Sequence, residues 1–196
     1  PALLHSLLLD AERLRGGLTV QPEGEGPIHV VEDLVGFRRT PPAPTQSGLT
    51  VQRHYYWPDG RLFEGGELKE GDSLVARVTV QSDEQLREGL VVDLLPGGLE
   101  AENLGLGDPN QIGSMVIDGL ALSERQWQAD IKHQEYRDDR FVAALSLWPG
   151  QQARLFYLVR AVSPGRYTVP PPFVEDMYRP DRRAIGEALP ARIEVE

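Results

Sequence analysis

The stretch SLVARVTV at residues 73–80 decides the fold class of this chain. Apolar side chains occupy every second position, at Leu74, Ala76, Val78 and Val80. A period of two is typical of a β-strand with one buried and one solvated face. The residues just before it, Glu70-Gly71-Asp72, have the composition of a turn. The segment therefore predicts a half-buried strand that opens after a tight turn.

The same alternation recurs on both sides of this stretch. Further strands are predicted at residues 28–35, 49–57, 90–94, 141–147, 155–162, 166–169 and 191–195. Turn residues separate them, at Pro58-Asp59-Gly60, Pro96-Gly97-Gly98, Pro149-Gly150 and Ser163-Pro164-Gly165. Short strands at this spacing are typical of a sandwich. A parallel sheet would require strands that alternate with helices, and the sequence does not show that pattern. The sequence predicts a mainly β protein, an antiparallel β-sandwich.

Two segments have the composition of helices. Residues 3–15, LLHSLLLDAERLR, predict a helix that ends at Gly16-Gly17, or alternatively a frayed tail. Residues 123–132, SERQWQADIK, predict one short helical excursion within the sandwich, with Ser123 as its N-cap.

Charge and composition exclude several classes of protein. The 196 residues include 20 basic and 30 acidic side chains, so the formal net charge is −10. An acidic surface repels nucleic acid, and no apolar run approaches the roughly 20 residues of a membrane span. Cysteine is absent, which excludes disulfides and thiolate metal sites. Because the chain begins Pro1-Ala2, we expect a fragment of a longer protein, with any signal peptide or lipid anchor upstream.

No set of residues predicts catalysis, a metal site or a cofactor. The histidines at positions 5, 29, 54 and 133 do not have metal-ligand spacing. We interpret His54 as a residue on a sheet face. The charge cluster at residues 135–140 lacks the glycine of a calcium loop, and its alternating signs indicate local ion pairs. The chain is therefore predicted not to be an enzyme.

Aromatic residues offer a different kind of binding site. Tyr55, Tyr56, Trp57, Trp127 and Trp148 could form a platform that stacks on sugars, which makes a carbohydrate-binding sandwich one hypothesis. The alternation, however, places Tyr55 and Trp57 on the same strand face as apolar neighbours, which favours burial in the core.

The segment VPPPFVEDMYRP at residues 169–180 is stiffened by its prolines. Met177 and Tyr178 follow two acidic residues there. A thioether and an aromatic ring on a stiff loop suit a contact site for another protein surface. Alternatively, the two side chains cover the edge of the sandwich.

Five segments, in this order, identify a family resemblance. They are RHYYWPDG (53–60), LKEGDSLVARVTV (68–80), VVDLLPGGLEAEN (91–103), HQEYRDDRFVAAL (133–145) and YLVRAVSPGRYTVPPPFVEDMYRP (157–180). Together they resemble the C-terminal, tenth macroglobulin-like domain of bacterial alpha-2-macroglobulins, which is similar to the receptor-binding domain of the animal proteins. The resemblance covers about residues 26–196, and residues 1–25 are expected to be the tail of the preceding part of the parent chain.

The resemblance implies a β-sandwich with a helical excursion and a role in a protease trap. Bacterial macroglobulins are large periplasmic proteins, commonly lipid-anchored to the inner membrane. Cleavage of a bait segment releases a conformational change, and a Cys–Gln thioester in a separate helical domain then captures the protease. The implied partners are the other domains of the parent chain and, through it, target proteases.

The resemblance also implies a role for Met177 and Tyr178. In thioester-bearing relatives a Met-Tyr pair of this domain covers the thioester and excludes water, and the matching string here is EDMYRP at residues 175–180. Where the parent lacks a thioester, the pair is a plain interdomain contact. The domain is then an interaction module that binds other periplasmic envelope proteins.

Overall fold

The chain divides into two units, residues 1–37 and residues 38–196. The computed structural model describes residues 6–21, 27–33, 35, 40–102, 115–122 and 129–196. The predicted boundary between residues 25 and 26 remains a prediction.

The first unit contains one short helix, α1, at Ala11–Leu14. Asp10 caps it, because its Oδ1 accepts a hydrogen bond from the Arg13 N–H at 2.9 Å. The predicted helix over residues 3–15 is wrong for residues 6–10, and residues 3–5 lie outside the described part. Leu7 is 75% exposed and Leu8 is 96% exposed, so these two side chains bury little apolar surface. A helix gains most of its stability from packing against other elements. Here the helix is limited to the single turn that Asp10 caps.

The predicted first strand is also wrong. Residues 28–33 and Val35 have no strand pairing, and Leu34 lies outside the described residues. Val31 is 84% exposed and Val35 is 96% exposed. Alternating apolar residues form a strand only when another strand accepts their backbone hydrogen bonds, and the described part of this unit contains none.

Most of the described residues of the second unit lie in strands. Their bounds are β1 Thr45–Gln46, β2 Leu49–Tyr56, β3 Leu62–Phe63, β4 Gly66–Leu68, β5 Ser73–Ser82, β6 Leu86–Leu94, β7 Leu99–Glu102, β8 Val116–Ile117, β9 Leu120–Ala121, β10 Asp130–Arg137, β11 Arg140–Leu147, β12 Gln152–Ala161, β13 Gly165–Thr168, β14 Phe173–Asp176, β15 Arg179–Ile185 and β16 Arg192–Val195.

Two antiparallel sheets form the sandwich. One has the strand order β1-β15-β14-β6-β11-β10 and the other β3-β2-β5-β12-β7. The predicted antiparallel sandwich is confirmed. A third sheet, β13-β16-β4, contains the parallel pair β16 and β4, in which Ile193 is opposite Gly66. A separate hairpin pairs β8 with β9.

The core lies between the two large sheets and contains the predicted alternating residues. Leu74, Ala76, Val78 and Val80 are each at most 1% exposed. Phe141 of one sheet stacks on Tyr157 of the other, with ring centroids 4.4 Å apart. Packing between apolar faces of this kind is the main stabilising term of a sandwich.

A smaller apolar cluster lies on the outer face of the five-stranded sheet. Tyr56, Val75 and Phe156 pack there against Ile117 and Leu122 of the β8–β9 region. This explains why β5 and β12 carry apolar residues on both faces. The hairpin is also held by an ion pair between Arg77 of β5 and Asp118 of its turn.

The predicted helix over residues 123–132 is wrong at its end. Asp130, Ile131 and Lys132 begin strand β10, where Asp130 is opposite Ser146 of β11. Residues 123–128 lie outside the described part. Helix-forming composition is overridden here by hydrogen bonding to a neighbouring strand. No helix among the described residues is long and apolar enough to span a membrane.

Candidate interdomain contact site

Met177 and Tyr178 form the turn between β14 and β15. Asp176 is opposite Arg179 across this turn. Tyr178 is 81% exposed and Met177 is 44% exposed. The structure therefore brings the two predicted site residues together and presents both side chains to solvent at one end of the six-stranded sheet.

The turn is held in shape by the buried carboxylate of Asp176. Its Oδ1 accepts hydrogen bonds from the N–H groups of Tyr178 at 3.0 Å and Arg179 at 3.2 Å. Its Oδ2 accepts from Arg179 Nε at 2.8 Å. Burial raises the pKa of Asp176, but these hydrogen bonds and the Arg179 charge outweigh it, so the pKa lies below its ordinary value. The ionised carboxylate fixes the backbone that carries the aromatic ring.

Neighbouring segments hold the turn from outside. The Met177 N–H donates to the carbonyl of Glu88 in β6 at 2.9 Å. Arg179 Nη2 donates to the carbonyl of Gln85 at 2.9 Å, and its Nη1 lies 3.4 Å from Glu84 Oε2. The turn is thus tied to the loop between β5 and β6, and its side chains are presented on a rigid base.

The prolines before β14 hold the other end of that strand. The Pro172 carbonyl accepts from the Gly186 N–H at 2.9 Å. A β-carbon at Gly186 would lie 2.5 Å from the carbonyl oxygen of Val51, so the close approach of β15 to β2 requires glycine. The Pro170 carbonyl accepts from Arg53 Nη2 at 2.7 Å.

That arginine belongs to a buried polar network that sequence reasoning missed. Arg53 Nη1 lies 2.5 Å from Asp93 Oδ1, and Tyr157 donates to Asp93 Oδ2 at 2.6 Å. Burial raises the pKa of Asp93, and the nearby Arg53 charge and the Tyr157 hydroxyl oppose that rise. A signal was available, because Arg53 occupies a core-facing position in the alternation of β2. Its partner Asp93 could not be predicted in the same way, because that contact depends on which strands of the two sheets face each other.

The other predicted candidates are structural. His54 lies on the outer face of β2, 3.4 Å from Arg77 Nη2. Burial lowers the pKa of His54, and the Arg77 charge lowers it further. The charge cluster forms the predicted local ion pairs, at 2.8 Å between Arg137 and Glu135 and 2.5 Å between Arg140 and Asp139. Within the described ranges, no group of three acidic or histidine side chains could hold a metal ion.

The aromatic residues within the described ranges do not form a sugar platform. Tyr55 is completely buried, and Trp57 packs edge-on against Phe63 with centroids 5.6 Å apart. Trp148 is 62% exposed, but it lies on the turn after β11 without these partners. Trp127 lies outside the described residues.

Comparison with known protein families agrees with the strand pattern. Residues 48–181 match the family model described as "Bacterial Alpha-2-macroglobulin MG10 domain". The chain belongs to this family. The matched MG10 residues include the whole Met177–Tyr178 turn and most of both large sheets.

Curated relatives of this MG10 chain are much longer. Alpha-2-macroglobulin of Xylella fastidiosa (strain Temecula1) is 48% identical over 186 residues, which cover 95% of this chain and 11% of the relative. The protein of the same name from Escherichia coli (strain K12) is 40% identical over 175 residues, 87% of this chain and 10% of the relative. The MG10 chain thus spans about a tenth of the curated relatives it matches.

Solved structures share the fold. Native E. coli alpha-2-macroglobulin from domain MG7 to the C-terminus has a TM-score of 0.74 and 39% identity, covering 82% of this chain and 25% of that one. Salmonella alpha-2-macroglobulin reacted with methylamine has a TM-score of 0.71 and 38% identity, covering 82% of this chain and 10% of that one. The chain is a domain of a bacterial alpha-2-macroglobulin.

Proposed function

We propose that this chain is the non-catalytic C-terminal, tenth macroglobulin-like domain of a periplasmic protease trap. It docks against the helical thioester-type domain of its parent chain through the Met177–Tyr178 turn. In this proposal the parent is a periplasmic protein that is anchored to the inner membrane by a lipid attached upstream of this domain. Its target proteases meet this domain only through the parent.

One observation carries the proposal: Tyr178 is 81% exposed on a turn whose backbone is fixed by a buried carboxylate. Burial of its ring by a partner removes apolar surface from water, which is favourable by roughly 25 cal/mol per Å² before the costs of association are subtracted. The fixed backbone reduces the entropy lost on docking, because the side chain is already presented.

The chemistry of a thioester fits this turn. A thioester persists only where water and other nucleophiles are kept away. The Tyr178 ring and the Met177 thioether provide apolar cover, and neither side chain is a strong nucleophile at neutral pH. The pair therefore suits a shield over a reactive group on the facing domain.

The solved relatives support a trap that responds to proteases and amines. They include a Salmonella protein reacted with methylamine, a small nucleophile, and E. coli proteins activated by trypsin and by porcine elastase. We extend this behaviour to the parent of the present domain.

The test uses the full-length parent with and without methylamine pretreatment. We expect a protease to form a covalent conjugate, visible on a denaturing gel, that pretreatment abolishes. Tyr178→Ala should make the parent lose conjugation competence on storage and react with methylamine several-fold faster. Leu62→Ala removes an exposed side chain on β3 and serves as the matched control.

Two results oppose the proposal in different ways. Equal methylamine rates for Tyr178→Ala and wild type contradict the shielding role. Bait cleavage without any conjugate indicates a parent without a thioester, and favours the interaction module of an envelope complex.

A further inference from the structure

The Met177–Tyr178 turn is too small to be a whole docking site. Two side chains cover roughly 300 Å² at most, whereas interfaces between domains of one chain bury about 600–1,500 Å². A domain that contacts Tyr178 must therefore rest on neighbouring surface as well. The structure shows where that surface continues.

One groove adjoins the turn, and a second lies next to it at the same end of the six-stranded sheet. One, of about 370 Å³, is lined by Tyr178, Arg179, Gln85 and Arg87. The other, of about 590 Å³, is lined by Trp148 and again by Gln85 and Arg87. Because Gln85 and Arg87 line both grooves, these two residues lie between Tyr178 and Trp148 on this surface.

Trp148 is presented in the same way as Tyr178. It is 62% exposed and begins a tight turn in which the Gln151 N–H donates to the Trp148 carbonyl at 3.0 Å. Gly150 has φ +79°, as the third position of a type II turn requires, and Pro149 occupies the second. Gln151 Oε1 also accepts from the Trp148 N–H at 3.1 Å. The indole is thus exposed on a backbone that is already ordered.

Arg87 lines both grooves and makes no ion pair with a described carboxylate, although Glu84, Glu88, Asp130 and Asp176 also line these grooves. The Nε group lies 3.4 Å from Gln85 Oε1, and among the described residues no carboxylate lies within ion-pair distance. The neighbouring cations differ, because Lys132 pairs with Glu88 and Arg179 pairs with Asp176. In a chain of net charge −10, an exposed arginine without a carboxylate can accept one from a partner.

The composition of this surface is that of an interface centre. Trp, Tyr and Arg are the residue types that dominate binding energy, and Met is enriched beside them. Here one of each lies on a single face of the domain. We call this set, Tyr178, Met177, Arg87 and Trp148, the end face.

We infer that the end face is one docking surface, occupied by the parent-chain domain that contacts the Met177–Tyr178 turn, which presents an apolar patch to Trp148 and a carboxylate to Arg87. This inference rests on the proposed function for the identity of that domain. The curated relatives are about ten times as long as this chain, and a parent of that length would supply the occupant from the same chain.

Site-specific photo-cross-linking in the full-length parent tests it. A photoreactive phenylalanine analogue replaces Tyr178, Trp148 or, as the control, Leu62 on edge strand β3 of the other sheet. Illuminated protein is digested and the linked peptides are identified by mass spectrometry. We expect positions 178 and 148 to link to the same helical domain, and position 62 not to link to it.

The outcomes separate the inference from the proposed function. A link from position 178 without one from position 148 overturns the end face and leaves the shield intact. A link from position 148 to a second copy or to another protein also overturns it. No link from position 178 to the helical domain overturns the proposed function and, with it, the named occupant.

A charge reversal tests the role of Arg87. In the full-length parent, Arg87→Glu should lower the yield of the link from position 178 several-fold, and Arg87→Gln should lower it less. Arg192→Glu reverses an exposed arginine on β16 and is the matched control. Equal yields from the Arg87→Glu and Arg192→Glu proteins, both folded by circular dichroism, contradict the predicted carboxylate contact.

Discussion

Arg53 of β2 and Asp93 of β6 join the two large sheets inside the core, with 2.5 Å between Nη1 and Oδ1. Neither side chain is exposed to solvent. Because both charges have been removed from water, the loss of one partner leaves the other buried and uncompensated. Removal of one partner should therefore destabilise the protein more than replacement of both partners by apolar residues.

Asp93→Ala should lower the free energy of unfolding by about 3–5 kcal/mol, because the Arg53 charge loses its partner. Urea denaturation of the chain measures this. The double variant Arg53→Met, Asp93→Leu should be more stable than the single one, since no charge remains buried. A Glu194→Ala control breaks an exposed pair with Arg166 and should change little. A free energy of unfolding of Asp93→Ala within about 1 kcal/mol of the wild-type value would contradict this prediction.

Asp176→Ala should release the Met177–Tyr178 turn. Loss of the buried acceptor leaves the N–H groups of Tyr178 and Arg179 without their partner, at a cost of about 1–3 kcal/mol. Amide hydrogen exchange at these two residues should become faster, and less so in Asp176→Asn, which keeps an acceptor oxygen. Asp181→Asn on the paired strand β15 removes an exposed carboxylate as the control. Unchanged exchange in Asp176→Ala would mean that the turn is held by other contacts.

Two adjacent glycines should respond differently to alanine. A β-carbon at Gly98 would overlap the ring of Tyr167, whereas one at Gly97 would lie 3.5 Å from the same ring. Gly98→Ala must displace the ring and should cost about 1–3 kcal/mol. Gly97→Ala makes an ordinary contact and should be close to neutral. Thermal unfolding of both variants measures the difference, and equal melting temperatures would refute it.

His54 should make stability depend on pH. Burial and the Arg77 charge hold the pKa of His54 below its ordinary 6.5 in the folded state. The unfolded chain then takes up the proton first, so stability is full above about pH 6.5 and falls as the pH drops through the folded value. Urea midpoints measured between about pH 8 and pH 5 should fall less steeply for His54→Gln. Identical slopes would exclude His54 as the cause.

Local pattern predicts the two large sheets well, for a physical reason. Strands such as β5 have one core face, so burial imposes a period of two that is visible in Leu74, Ala76, Val78 and Val80. Proline and glycine mark the turns between strands, including Pro149-Gly150. Local pattern does not predict which distant strands pair with each other. Residues 130–132 form a strand because they pair with β11.

The same limit on predicting long-range pairing applies to the end face. The turn at Met177 and Tyr178 could be predicted from its proline-rich context and from family resemblance. The arginine at position 87 and the tryptophan at position 148 are far from the turn in sequence, and only the order of β14, β6 and β11 places them beside it. Likewise, a leucine-rich segment such as residues 6–10 predicts a helix, but whether one forms depends on a surface to pack against.

The parallel pairing of β4 with β16 also has a consequence for synthesis. Gly66 is opposite Ile193, so β4 leaves the ribosome long before the strand it needs. At roughly 5–20 residues per second, the wait is on the order of 10 s. During that time β2 and β5 can pair with each other, but the third sheet cannot close. Whether the chain emerges from the ribosome or, as proposed for the parent, into the periplasm, β4 has an unpaired edge until β16 has followed it. Chaperones that bind exposed strand edges would act in this interval.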